Sequence, residues 1–247
     1  SLVLGMGLPV TAAYIILAIL CAPALAGILS DTIIIEKLIN GLTDPAQAAM
    51  FMLVDSPHAA KVMVGMTLEE ASSLMSAMPF EVAMTLRPML IDAETLMGFL
   101  LVAHLIIFWL SQDSNVTPPV CLAAFTAAGI AKSPPMATGF QAWRAAKGLY
   151  VVPLLFAYTP LINGTFPEMC QIGFFALFGI YATNAVIARF AEGPLALWHW
   201  PLLVMGGVLC YVPLDLLLNG VGALLVTLVI WLTYRQNQFL TDDTASR

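Results

Sequence analysis

Asp113, Ser114, Asn115 and Thr117 place four oxygen-bearing side chains within five positions, and Pro118 and Pro119 follow at once. Hydroxyl, carboxamide and carboxylate oxygens in that density suit a small hard cation or a polar solute. The two prolines remove two backbone donors and disfavour helix at Thr117, so backbone groups are freed inside an otherwise apolar stretch. The flanking runs are 96–110 and 120–130. The first makes roughly 22 Å of helix against a hydrocarbon core about 30 Å thick, and the second is shorter. Together they could span a bilayer; alone they fall short. Lipid cannot satisfy freed backbone groups, so such a break is tolerated where it is buried in protein or lines a wet cavity, which is where transporters bind ions and substrates. A second irregular place is Gly5-Met6-Gly7-Leu8-Pro9, followed by Thr11.

The elements that must position these residues are membrane helices. Of 247 residues, 60% are hydrophobic and 10% charged, with a mean hydropathy of +0.92, which excludes an ordinary secreted or cytosolic enzyme. The four cysteines, Cys21, Cys121, Cys170 and Cys210, sit singly in apolar runs and read as small hydrophobes. Apolar patterning predicts about six membrane elements: 9–29, the broken element 96–130, then 143–162, 169–188, 195–212 and 214–234. Between 30 and 95 acids and bases recur every few residues, which predicts an insert that is not transmembrane. Ser1 opens directly into an apolar stretch without a complete first span, so a piece of a longer polypeptide is expected.

Basic residues set the orientation. Lys132, Arg144, Lys147, Arg189, Arg235 and Arg247 fall on one side if the helices from Leu96 onward alternate, and that side is predicted to be cytoplasmic. Segment 30–95 is then extracytoplasmic, and helix 9–29 runs outward from mid-membrane. Gly5 to Pro9 would be the tip of a re-entrant hairpin; the alternative is an upstream span kinked at Pro9.

The Gly5-Met6-Gly7-Leu8-Pro9-Val10-Thr11-Ala12-Ala13-Tyr14 and Thr117-Pro118-Pro119-Val120 sequences, the second followed closely by Ala-Ala-Phe-Thr-Ala-Ala-Gly-Ile, resemble the large membrane subunit of tripartite ATP-independent periplasmic (TRAP) transporters. The likeness covers about 2–29 and 97–162 and is closest to the fused permease form. It implies an all-α polytopic membrane protein, the second half of an inverted-repeat ion-transporter fold with a hairpin tip and a broken helix. Residues 1–163 would be the C-terminal half of the transport domain and 164–247 additional helices. It also implies a permease in the bacterial inner membrane that imports organic acids on a sodium gradient. Its partners would be a periplasmic substrate-binding protein and the rest of the permease, with no nucleic acid and no cofactor beyond the coupling sodium. The sodium and substrate site would fall on Gly5, Gly7, Thr11, Asp113, Ser114, Asn115, Thr117 and Pro118. Sodium wants about five or six oxygens, and unwound carbonyls with Asn115, Thr117 and Thr11 supply them with little net charge. Cys121 stands where relatives usually have Gly or Ala.

Plainer readings stand beside these. Asp113 could lie at a membrane edge rather than in an ion site. Asp215 reads as a residue of an outer turn, His104 as a hydrogen-bonded interior residue and His199, between Trp198 and Trp200, as part of an interfacial belt. Asn163-Gly164-Thr165 fits a glycosylation sequon but reads as a turn. An intramembrane aspartyl protease would need Asp113 and Asp215 as its pair, and no Gly-x-Gly-Asp motif occurs. A passive channel could also use freed carbonyls, while an ATP-driven pump is disfavoured because no Gly-x-x-x-x-Gly-Lys loop is present. Eight of the thirteen methionines fall between Met50 and Met89, among acids such as Glu69, Glu70 and Glu81. That predicts amphipathic helices on the outer membrane surface, covering the transport core or docking the binding protein.

Overall fold

The computed structural model describes residues 8–54 and 56–245, with side chains to 238. Gly5 and Gly7 lie outside the described residues. All named elements are helical, with one isolated bridge between Phe190 and Pro194. Three helices are long and apolar enough to cross a membrane, Ala93–Asn115, Phe166–Ala188 and Leu216–Gln238, and a bent pair makes a fourth. The chain is thus compatible with a multi-pass membrane protein. The contacts divide it into two compact units, Ala18–His104 and the remainder.

The bent pair is α1, Val10–Leu20, and α2, Ala22–Asn40, which meet at 54°. Pro23 explains the bend, since it lacks the N–H that would bond back into the preceding turn and its ring crowds that carbonyl. Helix α2 does not stop at Leu29 as the hydropathy predicted; it runs eleven residues further, past Asp31, Glu36 and Lys37. Asp31 is held from far along the chain: Arg87 donates from Nε and a terminal nitrogen to its two oxygens at 2.9 and 3.1 Å. Gly27 makes room for that arginine, because a Cβ there would stand 2.9 Å from the guanidinium. The helix ends at Gly41, whose φ of +81° favours glycine.

Four short elements follow: α3 (Pro45–Phe51), a 3₁₀ turn (Ala59–Lys61), α4 (Leu68–Ser76) and α5 (Phe80–Leu90). They close with α2 around Ile34, Leu38, Phe51, Val62, Leu74 and Leu86, all buried. Segment 30–95 is therefore a helical unit with its own core rather than a set of separate amphipathic helices. Methionines serve both sides of it: Met66 is buried, while Met52, Met63, Met84 and Met89 are exposed.

Helix α6 (Ala93–Gln112), whose residues up to His104 belong to the first unit, leads through a 3₁₀ turn, Asp113–Asn115, into the break, and α7 (Leu122–Ala131) leaves it. Then come α8 (Pro135–Ala145), a 3₁₀ turn at Ala146–Tyr150 and α9 (Val151–Tyr158), so the single helix expected over 143–162 is in three pieces. The last three helices are α10 (Phe166–Ala188), α11 (His199–Cys210) and α12 (Leu216–Ala245). They share a core of Ala182, Ala185, Leu203, Val226 and Val229. Small residues let them approach: a Cβ on Gly222 would lie 2.7 Å from the Gly206 carbonyl, and one on Gly179 would strike the Tyr211 ring. Asn219, 2% exposed, ties off the turn before α12 by donating to the carbonyls of Leu209 and Val212 at 3.0 and 2.8 Å and accepting from Gln171.

Candidate functional site

The helix break begins where α6 has already run its full length. Ala93–Asn115 is 23 residues, about 34 Å of helix, so this arm is long enough to cross a hydrocarbon core without help from α7. The expectation of two half-helices that span only together is corrected here. Asp92 starts the helix earlier than the apolar run does, accepting from the Thr95 amide and hydroxyl at 2.8 and 2.9 Å, and Ser111 extends it by turning its hydroxyl back to the Ile107 carbonyl at 2.7 Å. The irregular backbone proper is 116–121, at the far end of a helix already long enough to span.

Within that break the amides are used locally. Val116 and Thr117 both donate to the Asp113 carbonyl, Cys121 donates to that of Thr117, and Pro118 and Pro119, joined by a cis peptide, have no N–H. A segment that spends three of its four N–H groups internally and includes two donorless residues presents more oxygens than donors, which favours a cation over an anion. The packing is close: a Cβ on Gly139 of α8 would meet Cys121 Sγ at 2.9 Å and Pro118 Cγ at 3.3 Å. Cys121 is thus packed on α8.

Asp113 is the centre of the side-chain cluster. Thr117 donates its hydroxyl to one Asp113 oxygen at 2.5 Å, and the Tyr150 hydroxyl interacts with the same carboxylate and with Thr117. The Thr117 hydroxyl holds this acid, Tyr150 lies beside it, and among the described residues no Lys, Arg or His forms an ion pair with it. Ser114 and Thr117 are buried, Asn115 is half-buried and its Nδ2 lies 3.3 Å from Gln112 Oε1 as donor, and Pro118 is half-buried. Thr11 is exposed near the start of α1; that helix reaches α6 through Tyr14, whose ring meets Phe108 edge-on at 5.7 Å. The structure therefore brings Asp113 and Thr117 together and sets Asn115 beside Gln112. Because Gly5 and Gly7 are outside the described residues, their part in the site has no geometry here.

A cavity of about 260 Å³ opens beside the cluster, lined by Gln112, Asp113 and Tyr150 with Trp109, Val116 and Leu149 among its apolar walls. Tyr150 was missed by sequence reasoning, as was the way it is held. Trp109 donates its indole N–H to the Leu149 carbonyl at 3.0 Å, and the Gly148 amide donates to Asn184 Oδ1 of α10 at 2.9 Å. The signal was available in principle: an indole N–H and a phenol inside apolar runs each need a polar partner.

The other flagged residues divide. Asp215 sits before α12 and accepts from the Leu218 amide at 3.0 Å, a helix-capping role in a turn. Residues 160–165 form a turn, closed by Glu168 accepting from the Thr165 amide at 2.7 Å. His104 is half-buried and has an interaction partner. His199 is buried in the protein rather than exposed in a belt, with Nδ1 accepting from the Ala196 amide at 3.1 Å and no partner at Nε2 among the described residues. No protein-family model matches the chain, and neither a curated protein nor a solved structure matches it.

Proposed function

We propose that this chain is part of the permease of a sodium-coupled secondary transporter that imports organic acids delivered by a periplasmic binding protein. The observation that carries the reading is Asp113: a carboxylate at the end of an apolar span, held by the hydroxyl of Thr117, bordering a cavity that Tyr150 also lines, and without a cationic partner among the described residues. A carboxylate in such surroundings is costly unless something compensates it, and a transported cation would do so. Sodium would be bound by the Asp113 carboxylate, the Thr117 hydroxyl, the Asn115 carboxamide oxygen and carbonyls of the break, with the Gly5 to Thr11 segment as the opposing wall. The likeness to TRAP permeases supplies the substrate class and the binding-protein partner.

Coupling follows from linkage. A sodium ion that neutralises Asp113 and orders 116–121 makes the neighbouring cavity better for a carboxylate only in the loaded state, and the substrate strengthens sodium binding by the same factor. In purified protein, sodium should raise the unfolding midpoint where an equal concentration of potassium does not. Thr117→Ala and Asn115→Ala should each raise the sodium concentration needed for half-maximal uptake, or for half of that stabilisation, by about tenfold, the loss of one good ligand. Unchanged sodium dependence in both variants would remove the assignment. Downhill flux without gradient-driven accumulation would favour the passive channel instead.

A further inference from the structure

At one end of the α10–α12 bundle four cations gather. Ala188 and Arg144 line a common cavity, Asn184 one turn earlier accepts from Gly148, and the Asn237 carboxamide donates to the Glu192 carbonyl at 3.0 Å, so Arg144, Lys147, Arg189 and Arg235 belong to the same end. At the other end stand Glu168 and Asp215, joined there by the Gln171 to Asn219 hydrogen bond. Three of the four cations lie over tryptophan rings: Lys147 on Trp143 at 4.0 Å, Arg189 on Trp200 at 5.5 Å and Arg235 on Trp231 at 4.5 Å. Arg144 has no such ring, and it is Arg144, with Gln141, Ala145 and Ala188, that lines a cavity of about 210 Å³. Among the described residues all ion pairs lie between residues 31 and 87, and none of them involves any of the four cations. Of the acids at this end whose side chains are described, Glu192 accepts from Tyr181.

We propose that this end is a binding site for an anionic phospholipid, whose headgroup phosphate is held by Arg144 and Gln141 in the cavity beside Ala188. The charge is complementary, and Arg144 and Gln141 offer the forked and amide N–H donors that phosphate oxygens accept. A lipid is the source rather than free phosphate because the cavity adjoins the end of an apolar span and the neighbouring cations are seated on tryptophans, side chains that prefer the boundary between hydrocarbon and headgroups. The remaining three cations add a positive field without entering the cavity.

The test uses the whole purified chain in neutral detergent, titrated with phosphatidylglycerol, with phosphatidylcholine or with inorganic phosphate, and read by native mass spectrometry and by the thermal midpoint. Phosphatidylglycerol should remain bound and raise the midpoint, and the other two should not. Arg144→Gln should weaken phosphatidylglycerol binding about fivefold, the scale of one basic contact at an anionic surface. Gln141→Leu should weaken it without a change of charge, whereas Arg235→Gln, outside the cavity, should weaken it by much less than Arg144→Gln does. Equal losses in Arg144→Gln and Arg235→Gln would reduce the site to diffuse surface charge and overturn the proposal. Equal stabilisation by inorganic phosphate, or Arg144→Gln binding like the parent, would do the same. No transport measurement enters, so failure here leaves the sodium reading untouched.

Discussion

Phe51, Leu74, Leu86 and Ile34 share one buried cluster in the unit Ala18–His104, whereas α10, α11 and α12 meet at Gly179, Gly206, Gly207 and Gly222. The first arrangement gains by removing large aliphatic and aromatic surface from water and sets its charges in pairs, Asp31 with Arg87 and Glu70 with Lys61. The second brings backbones within reach of one another and puts its specificity into polar side chains bonded to carbonyls, as Asn219 does. That difference matches two surroundings. Where lipid is the solvent, burying one apolar residue against another yields little beyond close contact, so small residues and interhelical hydrogen bonds carry the association.

If the contrast is real, the two regions should respond to different injuries. Phe51→Ala should be the most damaging, about 4 kcal/mol for an aromatic fully buried among aliphatics, measured as a loss of protection from proteolysis confined to residues 18–104. Arg87→Ala leaves Asp31 without its partner and should cost about 3 kcal/mol in the same unit, and Arg87→Met combined with Asp31→Leu should recover most of it. In the helical bundle Gly222→Ala should cost about 2 kcal/mol, because the added carbon stands 2.7 Å from the Gly206 carbonyl, and the effect should be read in detergent-denaturation midpoints. Large aliphatic truncations in that bundle that cost as much as Phe51→Ala would break the comparison.

The smallest effect sharpens it. Glu70 is lowered from its ordinary 4.5 to about 2, first by the hydrogen bond from Lys61 and then by the Thr67 amide. A depressed carboxylate contributes stability that is present above about 4.5 and is lost as the pH falls toward about 2. Protection of amides at the start of α4, taken relative to the intrinsic exchange rate at each pH, should therefore fall over that window in the parent and vary less in Glu70→Gln. His58, 3.7 Å from the same carboxylate, is the second group to replace if acid sensitivity persists.

The sequence made some of this legible, and the physical reason is visible in which parts it did. Helices α10 and α12 were readable because nothing interrupts their hydropathy for more than 18 residues, and they begin within three residues of the expected places. The oxygen-rich stretch before Pro118 was readable because Pro acts locally. The continuation of α2 to Asn40 was not, since the charge that seemed to end it is satisfied by Arg87, 56 residues away. Likewise 143–162 is apolar after Arg144 and Lys147, yet its 146–150 turn is shaped by Trp109 and Asn184, residues on other helices. His199 looked interfacial between two tryptophans, but only tertiary packing determines that it is buried.

The turn that presents Tyr150 has a property of its own. Trp109 grips the carbonyl of Leu149 and Asn184 grips the amide of Gly148, so both outside holds fall on main-chain atoms. Main-chain atoms are the same whatever residue supplies them. The side chains at 146, 147 and 149 can therefore drift through many substitutions without moving the phenol, whereas position 148 cannot, since any Cβ there would collide with the Asn184 carboxamide. Random mutagenesis of this turn should thus return a tolerant stretch with a single intolerant glycine, and the variants lost at that glycine should be lost at Asn184 as well.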